Sequence, residues 1–250
     1  MEGHIVRTFD GDILNLRMQV LRMGGLAIDQ VQRAVQALTR SDDEGAREVV
    51  SRNVQIVAYA RVIEEDIVGL IARRQPVASD LRMVLAVGRV ATDLERVGNA
   101  ARKIARLGLE LDGTPDRAPL QRFYNDVRKM SRLALAMLRD ALDCFDRVDL
   151  EGALKVVRRD AEVDGEFQLA LRELVTYVME DQRHLAGTIQ TVFMLKALER
   201  VGDHARNIAA TVPRFARRED AAAQAPAPPP PPDAADGREP QRDPRALGQG

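Results

Sequence analysis

The sequence predicts an all-α protein built as two tandem three-helix bundles related by internal duplication, and three observations carry that prediction. Apolar side chains recur every three or four residues through most of the 250 positions. Only four of the 12 prolines precede Asp220, so the helical pattern runs on with few breaks. The chain also repeats itself. Met23, Leu26, Ala27, Ala34, Arg40, Asp42, Glu44, Gly45, Ala46, Val49 and Val50 recur as Met130, Leu133, Ala134, Ala141, Arg147, Asp149, Glu151, Gly152, Ala153, Val156 and Val157, an offset of 107 (130 minus 23). Further on the offset is 104 (198 minus 94), which lays Leu94-Glu95-Arg96-Val97-Gly98-Asn99 on Leu198-Glu199-Arg200-Val201-Gly202-Asp203. A six-helix solenoid is the competing architecture, but two copies are fewer than a solenoid needs.

In chain order, the periodicity predicts helices over 10–39, 42–74 and 78–109, a break at Gly113, Pro115 and Pro119, then helices over 120–147, 150–181 and 185–215. Ser41 and Glu44 have the spacing of a capping box, which would start the second helix at Ser41. Pro76 separates the second helix from the third. The bundles are placed at 1–112 and 119–217. Residues 218–250 hold the other eight prolines and almost no large apolar side chains, so they are expected to form a disordered, polyproline-like tail.

Composition narrows the function. With 37 Lys and Arg against 38 Asp and Glu there is no broad cationic field, which argues against nucleic acid as a partner. The single Cys144 has no intramolecular disulfide partner, the first residues do not resemble a secretory signal, and no apolar run approaches a membrane span, so a soluble cytoplasmic protein is expected.

Two constellations could carry chemistry. Glu199, Asp203 and Asn207 are spaced by four and share a helix face, as do Asp160 and Asp164 on the preceding helix. Like charges at that spacing repel unless a cation answers them. The answer is either a metal ion suited to oxygen ligands, or the nearby Arg158, Arg159, Arg200 and Arg206 on a solvated face. His204 follows Asp203 at about 100° around the helix and is expected at the surface. The second constellation, Arg73 to Asp80, joins a basic helix end to a new helix start; it reads as helix punctuation rather than an anion site. Phosphate-binding glycine loops, nucleophile elbows and zinc-protease motifs are all absent from the sequence, and no catalytic triad is recognisable.

Four motifs together resemble the PhoU family: Arg74-Gln75-Pro76-Val77-Ala78-Ser79-Asp80-Leu81-Arg82, Asp93-Leu94-Glu95-Arg96-Val97-Gly98, Tyr177-Val178-Met179-Glu180-Asp181 and Leu198 through Ile208. The likeness covers about residues 5 to 212 and leaves the tail outside. It implies two three-helix bundles, metal clusters on paired acidic stripes, and a cytoplasmic negative regulator of phosphate homeostasis. Such a regulator would couple the ATPase subunit of the phosphate ABC transporter (PstB-like) to a PhoR-like sensor histidine kinase, without catalysis of its own, at the membrane only through its partners and as a homodimer. The implied metal ligands are Asp160, Asp164, Glu199, Asp203 and Asn207 in the second bundle, for iron or zinc, with magnesium or manganese also admitted. In the first bundle Glu95 remains, but the other positions read Asn53, Val57, Asn99 and Lys103, so that site is expected to be weak or empty, its stripe held instead by Glu64, Glu95 and Lys103 in ion pairs. The alternatives are a carboxylate-bridged metal enzyme and a structural scaffold. Against the enzyme, neither His184 nor His204 has a Glu three residues before it, as di-iron bundles use.

Overall fold

A computed structural model of the chain describes residues 2–216 apart from 77, 113, 115 and 116. The expected proline-rich tail lies outside the described residues. Among those described there are helices and turns but no strands. Helices α1 (Glu2–Arg40), α2 (Asp43–Arg74) and α3 (Ala78–Leu111) form the first bundle; α5 (Tyr124–Arg147), α6 (Leu150–Glu180) and α7 (Leu185–Ala216) form the second. A one-turn helix α4 (Arg117–Leu120) and a 3₁₀ turn (Gln121–Phe123) join them, where the sequence reading has only a break and an early start to the fourth helix. α1 begins earlier than the expected residue 10. No helix among the described residues is long and apolar enough to cross a membrane.

The duplication is visible atom by atom at the turns. The turns between α1 and α2 and between α5 and α6 each place one non-glycine residue in the left-handed region, Ser41 at φ 56° and Val148 at φ 57°. In both turns the next residue closes a six-to-one hydrogen bond, from Asp42 N–H to the Ala37 carbonyl and from Asp149 N–H to the Cys144 carbonyl, each 2.9 Å. The same aspartates then cap the following helix, their carboxylates accepting from Gly45 N–H and Gly152 N–H at 2.9 Å. The cap of α2 is therefore Asp42 and not Ser41. Ser41 is spent on the left-handed end of α1, which removes it from the extended geometry that a cap requires.

The turn between α6 and α7 is held by charge. Asp181 caps the 3₁₀ turn Gln182–His184 by accepting from Arg183 N–H at 3.0 Å, and it also accepts from the Arg183 guanidinium. Those bonds pull the Asp181 carboxyl down to about 2. His184 stacks on Tyr177, and Tyr177 meets Phe123 edge-on at 5.5 Å, so this end of the second bundle is closed by rings.

The two bundles share one continuous apolar core. α3 packs along α7 and α1 along α5, so the repeats meet face to face. Lys103 lies beside Phe193 and Asp93 beside His204, which makes α3 and α7 antiparallel. The glycine of the repeated Glu-Arg-Val-Gly motif sets how closely its helix can approach the neighbour. A Cβ at Gly98 would stand 2.8 Å from Ile56 Cδ1 and 2.9 Å from Asn53 Oδ1, whereas at Gly202 the nearest atom is Val163 Cγ1 at 3.3 Å. Gly98→Ala is expected to lower stability by about 1–2 kcal/mol through overpacking, and Gly202→Ala to leave it nearly unchanged because helix propensity offsets the milder contact. Thermal unfolding of the two variants checks this difference.

Candidate functional site

The acidic stripe of the second bundle forms where α6 lies against α7. Asp160 and Glu199 are buried, Asp203 is half-buried, and Asp164 and Asn207 are exposed. Burial pushes the Asp160 carboxyl up, Arg206 pulls it down, and Asp164 and Asp203 push it up again. Arg206 answers that crowding directly: its guanidinium donates to Asp160 Oδ2 at 2.7 Å and lies 3.5 Å from Asp203 Oδ1. Lys196 pairs with one oxygen of Glu199, while the other, Oε2, is buried and accepts no hydrogen bond among the described residues. Asn207 lines a cleft toward α3. Among the described residues, no three Asp, Glu, His or Cys side chains stand together as a ready metal site.

The corresponding stripe of the first bundle is neutral at its centre. Asn53 Nδ2 donates to Asn99 Oδ1 at 3.0 Å, and Val57 is exposed beside them. The ion pairing expected of Lys103 with Glu64 and Glu95 does not form among the described residues. Lys103 crosses to the other bundle and sits over the Phe193 ring, 4.8 Å from its centroid, because α7 packs on that face of α3. His204 is likewise not at the surface: it is 6% exposed, with Nδ1 3.0 Å from Asp93 Oδ1 across the seam. The helical wheel places His204 away from Asp203, but only the antiparallel neighbour α3 decides that this second face is covered.

Two apolar grooves lie along the α2–α3 and α6–α7 seams, the first running on from its stripe at Val57 and Glu95. In the first bundle Val57, Ile67, Val68, Val84 and Leu85 line a groove of about 770 Å³ that also holds Glu64, Arg89 and Glu95. In the second, Val175, Met179, Ile189, Val192 and Phe193 line a smaller one of about 270 Å³. The duplication relates them, since Val68 falls on Val175 and Leu85 on Ile189. Both expose large apolar side chains, Val68 at 62% and Met179 at 79% among them. Sequence periodicity did not single these positions out, because an exposed valine on a helix differs from a buried one only through its neighbours.

The family model of the PhoU domain matches the chain twice, at residues 20–108 and 127–212. The chain belongs to the PhoU family. A phosphate-specific transport system accessory protein PhoU homolog of Pseudomonas putida is 42% identical over 217 residues, which are 87% of this chain and 84% of that protein. The phosphate-specific transport system accessory protein PhoU of Escherichia coli K12 is 33% identical over 88% of this chain and 90% of its own length. The crystal structure of PhoU from Pseudomonas aeruginosa superposes with a TM-score of 0.78 at 41% identity, covering 84% of this chain and 99% of that one. A second PhoU, the phosphate transport system regulatory protein of Streptococcus pneumoniae, superposes at 0.74 with 26% identity. The two PhoU domains coincide with the two bundles, and both stripes fall inside them.

In this PhoU-family chain the second stripe has the chemistry for a hard cation at two points, the orphaned Glu199 oxygen and the crowded Asp160 carboxylate. Arg206 stands in that place, and its side chain is 41% exposed, so it can swing into solvent. Arg206→Ala is expected to destabilise the chelated protein by about 1–2 kcal/mol, since Asp160 loses its partner while solvent screens part of the loss. Unfolding in chelator checks this, and an unchanged midpoint would show that the pair contributes nothing.

Proposed function

We propose that this chain is a non-catalytic regulatory adaptor of phosphate homeostasis. It restrains phosphate uptake and the starvation two-component response by binding the ATPase subunit of the phosphate ABC transporter and a PhoR-like sensor histidine kinase on the cytoplasmic side of the membrane. The observation that carries this reading is that relatives named as accessory proteins of phosphate-specific transport match both bundles across 87% of the chain. The paired apolar grooves support it, because a groove floored by Val, Ile and Leu, with Arg61, Glu64, Arg89 and Glu95 at the edges of the first, accepts an amphipathic helix of a partner. A homodimer belongs to the same reading. The metal-enzyme alternative is disfavoured by the histidines: His204 is committed to Asp93 and His184 stacks on Tyr177, so neither is offered to the acidic stripe.

We further propose that the second stripe takes a metal ion, iron or zinc, with magnesium or manganese as the other candidates. Asp160, Asp164, Glu199 and Asp203 would hold it, with Asn207 one turn further along. The ion would neutralise the repulsion between carboxylates and tie α6 to α7 once Arg206 has released Asp160. The first stripe, with Glu95 as its remaining acid, would hold metal weakly or not at all.

Affinity capture of the tagged protein from its own cells, in phosphate-rich and phosphate-starved medium, should recover the transporter ATPase or a histidine kinase; finding neither in either medium would overturn the adaptor reading. By elemental analysis, Asp164→Ala with Asp203→Ala should lose most bound metal and Glu95→Ala almost none. Equal loss from both would sink the asymmetry.

A further inference from the structure

The seam between α3 and α7 has two sides, and the duplication makes them comparable. On one side Lys103 covers Phe193, and Gln190 donates to Glu110 at 3.4 Å, so the space between the helices is filled. On the other side the duplication puts Arg89 where Phe193 stands and Arg214 where Glu110 stands. That side is an open cleft of about 320 Å³ in which Arg89 and Arg96 of α3 face Arg214 of α7.

Three guanidiniums in one cleft repel unless anions answer them. Asp93 is the one acidic side chain lining the cleft among the described residues, and its carboxylate is taken by His204 at 3.0 Å, with Arg96 only at 3.9 Å. Arg89 and Arg214 have neither a hydrogen bond nor an ion pair among the described residues. Thr92 and Thr211 also line the cleft, but their hydroxyls donate to the Gly88 and Asn207 carbonyls, so recognition there rests on the arginines. Guanidinium forks match the oxygens of a phosphoryl group in pairs. Three guanidiniums carry more positive charge than one orthophosphate dianion neutralises, so an anion with further linked phosphoryl groups matches them better, and the cleft reaches the size of a small-molecule pocket.

We propose that this cleft binds an anion with two or more linked phosphoryl groups, either inorganic pyrophosphate or the phosphate tail of a nucleotide. The anion bridges α3 to α7 and so ties the first bundle to the second. The arginines of the site lie outside the acidic stripe, although the cleft shares Asn207 with the end of that stripe and Arg89 and Thr92 with the first groove, and the proposal does not depend on the adaptor role.

The test is calorimetric titration of the full chain, stripped of metal and at low salt, with pyrophosphate, ATP and orthophosphate. Pyrophosphate should bind one per chain and about tenfold or more tighter than orthophosphate; Arg89→Gln with Arg214→Gln should weaken it by about tenfold or more. Arg102→Gln with Arg132→Gln, exposed arginines that do not line the cleft, should leave the affinity unchanged. ATP competing with pyrophosphate assigns the nucleotide tail, and ATP failing to compete assigns the inorganic anion. Both Arg89 and Arg214 are exposed, so the double variant should fold; if its melting shows otherwise, Arg96→Gln is read in the same way. The proposal is overturned if none of the three anions saturates, if the cleft variant binds as tightly as the parent, or if the control pair loses as much.

Discussion

The rest of the molecule is arranged around the antiparallel packing of α3 on α7. Leu94, Val97, Ala101 and Ile104 on one helix and Leu198, Val201, Ala205 and Ile208 on the other are completely buried, and one apolar core passes through both bundles at this seam. Helices α1 and α5 close the core on one flank, while α2 packs on α1 and α3, and α6 on α5 and α7, each within its own bundle. The grooves and stripes lie where α2 and α6 meet α3 and α7, along seams that the other bundle does not cover. The Asp93–His204 pair sits inside the seam itself. Its atoms must be satisfied by one another, since a buried polar group without a partner costs about 1–3 kcal/mol.

Electrostatics then distinguish two halves that share a backbone. The second stripe carries four carboxylates and manages their repulsion with Arg206 and Lys196. The first has exchanged three of the acids, for Asn53, Val57 and Asn99, and an amide–amide hydrogen bond takes the place of ion pairing. The two sides of the α3–α7 seam diverge in the same manner, lysine over phenylalanine on one and uncompensated arginines on the other. Duplication preserved caps, turns and close helix approaches, which are fixed by backbone geometry. The side chains above them were free to differ, because exchanging surface charges leaves the packing intact.

Helicity, the order of six long helices, the duplication and family membership were all legible in the residues: each depends on periodicity, proline placement or motif identity, which are properties of a linear string. The repeated Asp-x-Glu-Gly turn was legible too, although Ser41 was read as the cap that Asp42 supplies. That error is one of backbone conformation, since Ser41 enters the left-handed region only because the helix before it ends there. The candidate metal ligands could be named from spacing, yet the partners they meet depend on which helix lies opposite. Arg206 reaching Asp160 is one case, and Asn207 turning to the α3 cleft is another.

His204 and Lys103 show where the division falls. By itself the sequence determined which residues share a helix face, and that places His204 away from Asp203 and Lys103 on a line with Glu95 and Asn99. Only the tertiary structure decided that those faces are covered by the other bundle, so that His204 is buried against Asp93 and Lys103 lies on Phe193. The physical reason is range. Helix periodicity acts over three or four residues, whereas these contacts join positions about a hundred residues apart, and a one-dimensional pattern carries no record of which two apolar stripes will meet.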